Sequence, residues 1–378
     1  MSVETPVLSS IAYLVPDLTD PAVRRRVIML EAGGAKVLTA GFHRRPIATS
    51  DPKVFGLGTT ADGAFAQRAV KVASWILKPV RLRDLVRDAD IVIARNLEML
   101  LLAWVALLGR SRVPLHYECL DVHRLMLGTG LASRCLRSLE QFLLKRVSRV
   151  IVSSPAFERN YFSVQYPGQA NCLLIENRLV SLEGEGAMPN TAPMAAPPWI
   201  VGWFGMLRCR KSLTLLSEMA AASAGRIEVL ISGRPSPAVF DDFEREVADL
   251  PGIRFGGEYT AADLPSLYEQ VHFVWAIDFF EEGLNSSWLL PNRLYEGGAF
   301  NRPIIALAGL ETARWLEARG AGLVLDNASD LRDRLVQLSP LEYEALVVAA
   351  TEIPRSDLIC DRETCRSLVS ALAGRVAA

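Results

Sequence analysis

The sequence predicts an α/β protein with two doubly wound, Rossmann-like domains that face a cleft. Short β-rich runs alternate with longer helical stretches along the whole chain. Most of these runs are unbroken in Val, Ile and Leu, which is typical of strands buried on both faces of a parallel sheet. A segment rich in Pro, Gly, Ala and Ser divides the chain near its middle. Half of the 378 residues are apolar, enough for two hydrophobic cores.

Twelve runs are strand candidates, six in each half of the chain. They are 10–16, 36–42, 91–95, 114–119, 149–154, 172–177, 199–205, 227–233, 253–258, 271–278, 303–308 and 322–326. The stretches between them, such as 22–32 and 213–222, predict helices and so make βα units. The GLG at 56–58 has no helix-opening glycine after it and predicts a loop.

The aperiodic segment 181–198 predicts a linker. We expect an N-terminal domain over 1–180 and a C-terminal domain over 199–355. The remaining residues, 356–378, predict a helix that packs back towards the N-terminal domain. Two sheets with their carboxyl ends towards one cleft would bind a ligand there. Neither G-x-G-x-x-G nor a Walker loop occurs at the start of either half, so a dinucleotide or Walker site is not expected.

The net charge of −1 hides an asymmetry between the halves. Residues 1–180 carry 24 Lys and Arg against 15 Asp and Glu, and residues 181–378 carry 17 against 27. Bulk attraction to nucleic acid is not expected. The basic half suggests contact with an anionic surface or ligand, unless the pattern arose by chance. Two basic groups fit either membrane-surface stretches or solvated helix faces; they are Lys78, Arg81, Arg83 and Arg87, and Arg134, Arg137, Lys145, Arg146 and Arg149.

The cysteines and the chain start indicate a reducing compartment. None of the six cysteines forms a C-x-x-C pair, which favours free thiols in the cytosol. The start, 1–10, lacks the features of a signal peptide, and we expect a cytoplasmic location. The longest apolar run, 99–109, is too short to cross a bilayer and predicts a buried or interfacial helix.

The segment LPNRLYEGGAFNRP (290–303) is the most informative in the second half. It opens a helix after an acidic, aromatic loop (277–288), and Pro291 suits the first helical turn. Arg293 and Glu296 are three apart and therefore share a face. The helix N-terminus and Arg293 suit a pyrophosphate, and Glu296 suits the hydroxyls of a ribose. The alternative is an intrahelical ion pair on a solvated face.

The segment WFGMLRCRKSL (203–213) places further cations at a strand-to-helix turn. The strand ends at Gly205, and Arg208, Arg210 and Lys211 follow it. Such cations suit a diphosphate leaving group. A solvated basic loop is the alternative.

In the first half, PLHYECLDVHRL (114–125) places carboxylates and histidines at the carboxyl end of a strand. Glu118 or Asp121 can take the proton of a hydroxyl nucleophile there, although Asp121 also suits the N-cap of a helix. His116 and His123 lie beside them. The chain has only four histidines and no H-E-x-x-H pattern, so a metal site is not expected.

Two loops after the first two strands are candidates for binding an anionic acceptor. One, 15–26, contains Asp17 and an arginine triplet, and the other, 41–47, contains His43 and Arg44. The alternative is that the first loop caps and anchors a helix.

With these segments in view, the chain resembles the GT-B glycosyltransferases over essentially its whole length. The resemblance depends on the order of the elements and on the segments 205–212, 257–275 and 290–303. Within that fold the opening 13–37 and the AGFHRR after it resemble bacterial exopolysaccharide enzymes of the succinoglycan glucosyltransferase kind.

The resemblance implies a nucleotide-sugar donor in the second domain and an acceptor in the first. The donor residues it implies, together with the segments above, are Gly205, Arg208, Lys211, Asn292, Arg293 and Glu296. Candidate acceptor residues are Asp17, His43, Arg44 and His123, and candidate catalytic residues are Asp121 and Glu118. YECLD (117–121) is similar to the segment that carries the catalytic aspartate of the xanthan glucuronosyltransferase, which points to Asp121.

One position departs from the retaining members of the fold. They carry a second glutamate eight residues before the position of Glu296, and this chain has Trp288 there. We therefore expect an inverting enzyme with a single base.

The expected function is transfer of a hexose to a lipid-linked oligosaccharide in exopolysaccharide biosynthesis. UDP-glucose is the favoured donor, with UDP-glucuronate and GDP-mannose open, and a polyprenyl-diphosphate-linked saccharide is the expected acceptor. We expect no cofactor, metal or nucleic-acid partner, and peripheral association with the inner membrane. The alternatives are a nucleotide-sugar 2-epimerase on the same fold and a non-catalytic subunit of a polysaccharide assembly complex.

Overall fold

The computed structural model describes residues 9–47, 51–60, 65–182 and 193–374. The chain divides into two compact units, each with its own parallel sheet, and the expected α/β class is confirmed. Unit 1 comprises 1–176, 180–182 and 360–378, and unit 2 comprises 177–179 and 183–359. Most of the chain start and the central part of the expected linker, 183–192, lie outside the described residues.

Unit 1 contains a seven-stranded sheet in the order β3-β2-β1-β4-β5-β6-β7. All neighbours pair in parallel. The strands are β1 Ser10–Val15, β2 Lys36–His43, β3 Val54–Thr59, β4 Ile91–Arg95, β5 Leu115–Cys119, β6 Val147–Val152 and β7 Cys172–Leu174. The strand order changes direction between β1 and β4. The carboxyl ends of those two strands therefore flank a crevice of the kind in which doubly wound sheets bind ligands.

Helices cover both faces of this sheet, as continuous apolar strands require. They are α1 Pro21–Ala32, α2 Phe65–Ile76, α3 Pro79–Leu85, α4 Leu97–Ala106, α5 Arg124–Leu127, α6 Leu131–Leu144, α7 Pro155–Phe157, α8 Ser163–Gln165 and, from the end of the chain, α17 Arg362–Leu372. The apolar run at 99–109 forms most of α4, whose side chains are largely buried. α17 packs against α1 within unit 1.

Unit 2 contains a six-stranded parallel sheet in the order β11-β10-β9-β12-β13-β14. Its strands are β9 Trp199–Leu207, β10 Ile227–Pro235, β11 Ile253–Phe255, β12 Phe273–Trp275, β13 Ile304–Leu307 and β14 Leu323–Leu325. The strand order changes direction between β9 and β12, so the carboxyl ends of these strands flank the ligand crevice of this unit. Two short strands, β8 Leu179–Val180 and β15 Ile359–Cys360, pair with each other.

The helices of unit 2 bury two apolar clusters against its sheet, one on each face. They are α9 Arg210–Ala221, α10 Phe243–Val247, α11 Leu264–Glu269, α12 Asn292–Ala299, α13 Glu311–Glu317, α14 Leu331–Gln337, α15 Pro340–Thr351 and α16 Arg355–Leu358. Trp199, Trp203 and Trp275 are almost wholly buried and fill one of these clusters.

The prediction of a loop at 56–58 is wrong, because these residues lie in β3. The strand is glycine-rich and has weak β-propensity, yet it pairs with β2 at the edge of the sheet. Tertiary contacts hold it there. The indole Nε1 of Trp75 donates to the carbonyl oxygen of Leu57 at 2.8 Å, and Phe55 lies edge-on to the same ring.

Two glycines allow β9 and β10 to come together at their carboxyl ends. Gly205 and Gly233 are partners in the ladder and have φ angles of +108° and +142°. A Cβ on Gly233 would lie 1.9 Å from the carbonyl oxygen of Gly205. The backbone at this end of the unit 2 crevice therefore requires glycine.

We expect Gly233→Ala to lower the free energy of unfolding of unit 2 by about 3 kcal/mol or more, because backbone overlap adds to the strain of a positive φ. Gly225→Ala is the matched control: Gly225 also has a positive φ, of +77°, but open space around it. The control should cost about 1–2 kcal/mol. Urea unfolding measures both, and equal losses would contradict the close approach.

Candidate active site

Arg293 lies at the ligand crevice of unit 2. It is the second residue of α12, and its guanidinium donates to the carbonyl oxygens of Ile277 at 3.1 Å and Phe204 at 3.5 Å. These carbonyls follow β12 and lie near the end of β9. The side chain is buried, and its Nε has no hydrogen-bond partner among the described residues. Burial lowers the pKa of the guanidinium, and Asp278 partly opposes this.

Glu296 lies one turn further along α12 and is also buried. Its Oε2 accepts a hydrogen bond from the hydroxyl of Tyr268 at 3.1 Å. Tyr268 is held by stacking on Phe300, with ring centroids 5.1 Å apart. The alternative of a solvated helix face for Arg293 and Glu296 is therefore wrong, since α12 buries this face.

Arg208 follows β9 and forms an ion pair with the carboxylate of Asp278, 3.2 Å away. Its guanidinium also lies over the ring of Phe280. Burial by itself raises the pKa of Asp278, but Arg208 and Arg293 outweigh it and the pKa is lowered. Asp278 is therefore a carboxylate held between two cations at the carboxyl end of β12.

Lys211 occupies the first turn of α9 and is exposed. Its ammonium group contacts both carboxylate oxygens of Glu282 at 2.8 Å and lies over the ring of Phe279. The acidic, aromatic loop 277–288 thus supplies partners to Arg208 and Lys211, two of the three basic residues after β9. The alternative of a solvated basic loop fits the exposed Lys211 but not the half-buried Arg208.

The other two candidates for donor binding belong to the same crevice. Gly205 lies in the last part of β9, where the strand continues to Leu207 rather than ending at the glycine. Asn292 is the first residue of α12 and is exposed. Pro291 is the N-cap of α12 and makes no side-chain capping bond. Six predicted residues are therefore gathered by β9, α9 and α12.

In unit 1, Glu118 lies at the end of β5 and is fully buried. Its carboxylate accepts hydrogen bonds from Nε of Arg26 and Nε of Arg95, both at 2.7 Å, and from the hydroxyl of Tyr13. Burial alone would raise the pKa of Glu118, but Arg95 and Arg26 lower it to about 2. A buried carboxylate with three donors fits a structural role. Its assignment as a catalytic residue remains a prediction that this environment does not favour.

Asp121 lies on the loop after β5 and is exposed. The N-cap of the following helix is His123, whose Nδ1 accepts from the backbone N–H of Leu125 at 3.2 Å. The alternative that Asp121 caps this helix is therefore wrong. His123 therefore has a local structural role, and its predicted contact with the acceptor stays a prediction.

Asp121 and His123 line a cavity of about 550 Å³ within unit 1. α2, α4, α5, α6 and β5 supply its walls. Glu140 forms part of the wall and accepts hydrogen bonds from the hydroxyls of three tyrosines, Tyr117, Tyr161 and Tyr166, at 2.6 to 2.8 Å. Burial raises the pKa of Glu140, and the tyrosine hydroxyls oppose this.

The candidates after β1 and β2 bind one another. Asp17 is buried and accepts from the backbone N–H and hydroxyl of Thr19 at 3.0 and 2.7 Å. Its other oxygen lies 3.3 Å from Nε of Arg44. Nδ1 of His43 contacts the carbonyl oxygen of Arg45 at 3.0 Å. The three predicted residues are thus close together at the ends of neighbouring strands, and Asp17 orders the loop.

His116 is buried in β5, and its Nε2 contacts the carbonyl oxygen of Leu372 at 2.9 Å. Burial lowers its pKa to about 4, which keeps the ring neutral. In the part of the chain that the structure describes, no group of three or more His, Cys, Asp or Glu side chains is arranged to hold a metal ion.

The predicted basic groups divide into structural and exposed members. Arg137 donates to the carbonyl oxygens of Met126 and Gly128 at 2.7 Å, and Arg146 donates to that of Val113 at 2.6 Å. These two arginines therefore stabilise the backbone at 126–128 and at Val113. Arg149 is half-buried, and the exposed members are Lys78, Arg81, Arg83, Arg87, Arg134 and Lys145. Over the described residues, no helix is long and apolar enough to cross a membrane.

Known proteins are similar to this chain in sequence and in fold. The chain is 47% identical to the succinoglycan biosynthesis protein ExoL of Rhizobium meliloti (strain 1021), over 96% of this chain and 93% of that protein. The Glycosyl transferase 4-like domain family matches residues 21–177. The chain belongs to the GT-B glycosyltransferases. The expected family and enzyme class are thereby confirmed.

Solved structures of GT-B glycosyltransferases have the same fold at low sequence identity. HepE of Anabaena, in complex with UDP-glucose, is 15% identical with a TM-score of 0.67 over 97% of this chain and 99% of that one. Sucrose-phosphate synthase of Thermosynechococcus elongatus is 16% identical with a TM-score of 0.63, over 97% and 96%. At these identities the likeness concerns the fold.

Several functional contacts of this glycosyltransferase could not be read from single motifs. Tyr268, the partner of Glu296, lies 28 residues before it in sequence. Arg26, the partner of Glu118, lies 92 residues before it. The arginine triplet at 24–26 is the signal in the sequence, and the alternative that it anchors a helix applies to Arg26.

We expect Glu118→Gln to lower the free energy of unfolding by about 3–5 kcal/mol at pH 7, because two buried arginines lose their counter-charge. The folded pKa of about 2 lies below the unfolded value of about 4.3. The stabilisation is therefore present above about pH 4.3 and is lost as the pH falls towards 2. Urea unfolding between pH 2 and 7 should show a weaker pH dependence in the variant. An unchanged unfolding curve with abolished transfer would favour a catalytic role instead.

Proposed function

We propose that this GT-B glycosyltransferase transfers a hexose, with glucose favoured, from a UDP-sugar to a polyprenyl-diphosphate-linked saccharide in exopolysaccharide biosynthesis. The observation that carries the donor half is the crevice of unit 2, where Arg208, Lys211 and Arg293 gather near Glu296. Support for UDP-glucose comes from HepE, which was solved in complex with it. Support for the pathway comes from the succinoglycan protein, 47% identical to this chain.

The donor diphosphate would be held by the three cations. Arg293 has an Nε without a partner among the described residues, and a buried donor in that state gains much from a phosphate oxygen. The N–H groups of the first turn of α12 add partial positive charge. The hydroxyls of the ribose would donate to Glu296, whose orientation Tyr268 fixes. In this proposal the charge of the leaving UDP is balanced by these groups without a metal ion.

Asp121 would act as the general base. The acceptor hydroxyl attacks the anomeric carbon while its proton passes to the carboxylate of Asp121. The bond from that carbon to the diphosphate oxygen breaks, and UDP leaves with the electron pair. Exposure of Asp121 on the loop after β5 supports this assignment over Glu118, whose oxygens are occupied by buried donors.

A single base fits inversion at the anomeric carbon. Trp288 takes the place of the second glutamate of retaining members of the fold. It follows a short helical turn in the acidic, aromatic loop and is half-buried. An α-linked UDP-glucose would therefore give a β-linked product.

The lipid part of the proposed acceptor suits the basic, apolar outer surface of unit 1. Exposed Leu77 and Lys78 follow α2, and exposed Val80 and Arg81 lie in the first turn of α3. Cations next to apolar side chains favour the surface of an anionic bilayer. We propose peripheral association with the cytoplasmic face of the inner membrane through this surface.

A thermal-shift panel of UDP, GDP, dTDP and their sugars tests the donor half. A ligand at 100 times its dissociation constant stabilises a protein by about 2.7 kcal/mol. We expect a shift with UDP and one UDP-sugar, and its loss in Glu296→Ala. Glu317→Ala is a control on a different helix, α13, outside the crevice. Equal shifts for all three nucleotides, or a full shift in Glu296→Ala, would contradict the proposed ribose contact.

The base is tested with Asp121→Asn. We expect this variant to show the same thermal shift with UDP as the wild type. Its transfer rate should fall by about 10²–10⁴-fold, the usual contribution of general-base catalysis. The measurement is release of UDP in the presence of membrane lipid extract as the source of acceptor. Full turnover in Asp121→Asn would remove Asp121 as the base.

A further inference from the structure

The cavity of unit 1 has walls that the donor site and the general base do not explain. α2 turns a stripe of Ala69, Val72, Ala73 and Ile76 towards it. These positions are spaced i, i+3, i+4 and i+7, the apolar face that a helix normally packs against protein. Here that face borders an open space of about 550 Å³, a volume typical of a small-molecule site.

The opposite wall is also largely aliphatic. Leu136 and Leu139 of α6 and Leu101 of α4 line it and remain half-buried. Aliphatic side chains from three helices therefore converge on one space without filling it. Such a surface gains free energy when an apolar ligand covers it.

Part of the polar wall is paired internally. Glu140 accepts from Tyr117 and Tyr161, and Glu98 pairs with Arg68 at 3.4 Å. Three further polar residues line the cavity, namely Asn96, Asp121 and His123. Most of the wall is aliphatic, and this part suits a hydrocarbon.

The groups in and around the cavity suit an amphiphilic ligand. Asp121 lies in the cavity wall, which is where a reacting saccharide would have to be. Lys78 follows α2 and Arg81 lies in α3; both are exposed and outside the cavity wall, and such cations complement a diphosphate. An isoprenyl chain bearing a diphosphate has the apolar body and anionic head that these two features require.

We propose that this cavity is the binding site for the hydrocarbon chain of the isoprenyl diphosphate acceptor, an inference that rests on the proposed function. α2 and α6 enclose the first part of the chain, and the remainder stays in the bilayer. The base on the loop after β5 then lies beside the bound lipid carrier. Selection of a lipid-linked acceptor over a free saccharide follows from burial of this chain.

The test measures binding of farnesyl diphosphate, below its micelle concentration, by calorimetry. Inorganic pyrophosphate is the second probe and reports the contribution of the head group alone. Ala69→Trp and Ala73→Trp place a large ring in the cavity from positions that are exposed, and two such variants guard against a misfolded one. Val70→Trp is the matched control, because Val70 lies on the same helix, is 70% exposed and is not part of the cavity wall.

We expect the wild type to bind farnesyl diphosphate at least tenfold more tightly than pyrophosphate. Both cavity variants should bind farnesyl diphosphate at least tenfold more weakly than the wild type. Val70→Trp should change this affinity by less than twofold. The proposal would be overturned if the wild type bound farnesyl diphosphate no more tightly than pyrophosphate. It would also be overturned if the cavity variants bound farnesyl diphosphate as tightly as Val70→Trp does. The UDP shift of the same variants separates the outcomes: its absence in the wild type would refute the donor half alone, and its persistence in the variants shows that unit 2 is intact.

Discussion

The buried carboxylate of Glu118 in β5 links three other elements of unit 1 through hydrogen bonds. Tyr13 in β1, Arg26 in α1 and Arg95 in β4 all donate to it from their separate elements. Desolvating two guanidinium groups is costly, and only a carboxylate with good geometry offsets that cost. The strand order change between β1 and β4 brings the arginines together at the crevice. The loop that carries Asp121 begins after β5, directly beyond this cluster, so its start is fixed by the same ion pairs.

Unit 2 repeats the architecture with the opposite balance of charge. At its crevice the buried guanidinium of Arg293 has backbone carbonyls as partners and an Nε without a partner among the described residues. In unit 1, Arg26 and Arg95 share the buried carboxylate of Glu118, and Arg95 also lies 3.5 Å from Asp20. Buried arginines are thus structural in unit 1, whereas we propose that Arg293 of unit 2 binds an anionic ligand. The difference lies in the partners of the guanidinium groups, a carboxylate in unit 1 and backbone carbonyls in unit 2.

This difference explains what sequence patterns could and could not predict. Continuous apolar runs located the main strands, because burial on both faces of a parallel sheet leaves a local signal. β3 was missed because an edge strand with two glycines has no such signal and depends on Trp75. Arg293 and Glu296 were found because their spacing is local. The surroundings of Glu118 were not, since its partners Arg26 and Arg95 lie 92 and 23 residues away, and a carboxylate at the end of a strand looks the same whether it is reactive or saturated.

Carboxylates of the acidic, aromatic loop contact the cations of the proposed donor crevice. Lys211 contacts Glu282 through both carboxylate oxygens, and Arg208 contacts Asp278. In the proposed function a diphosphate would exchange with these carboxylates, so its affinity would depend on the difference between two sets of ion pairs. The exposed Lys211 pair is the weaker of the two because water screens it. In the proposed donor site a diphosphate would therefore displace Glu282 from Lys211 more readily than Asp278 from the half-buried Arg208.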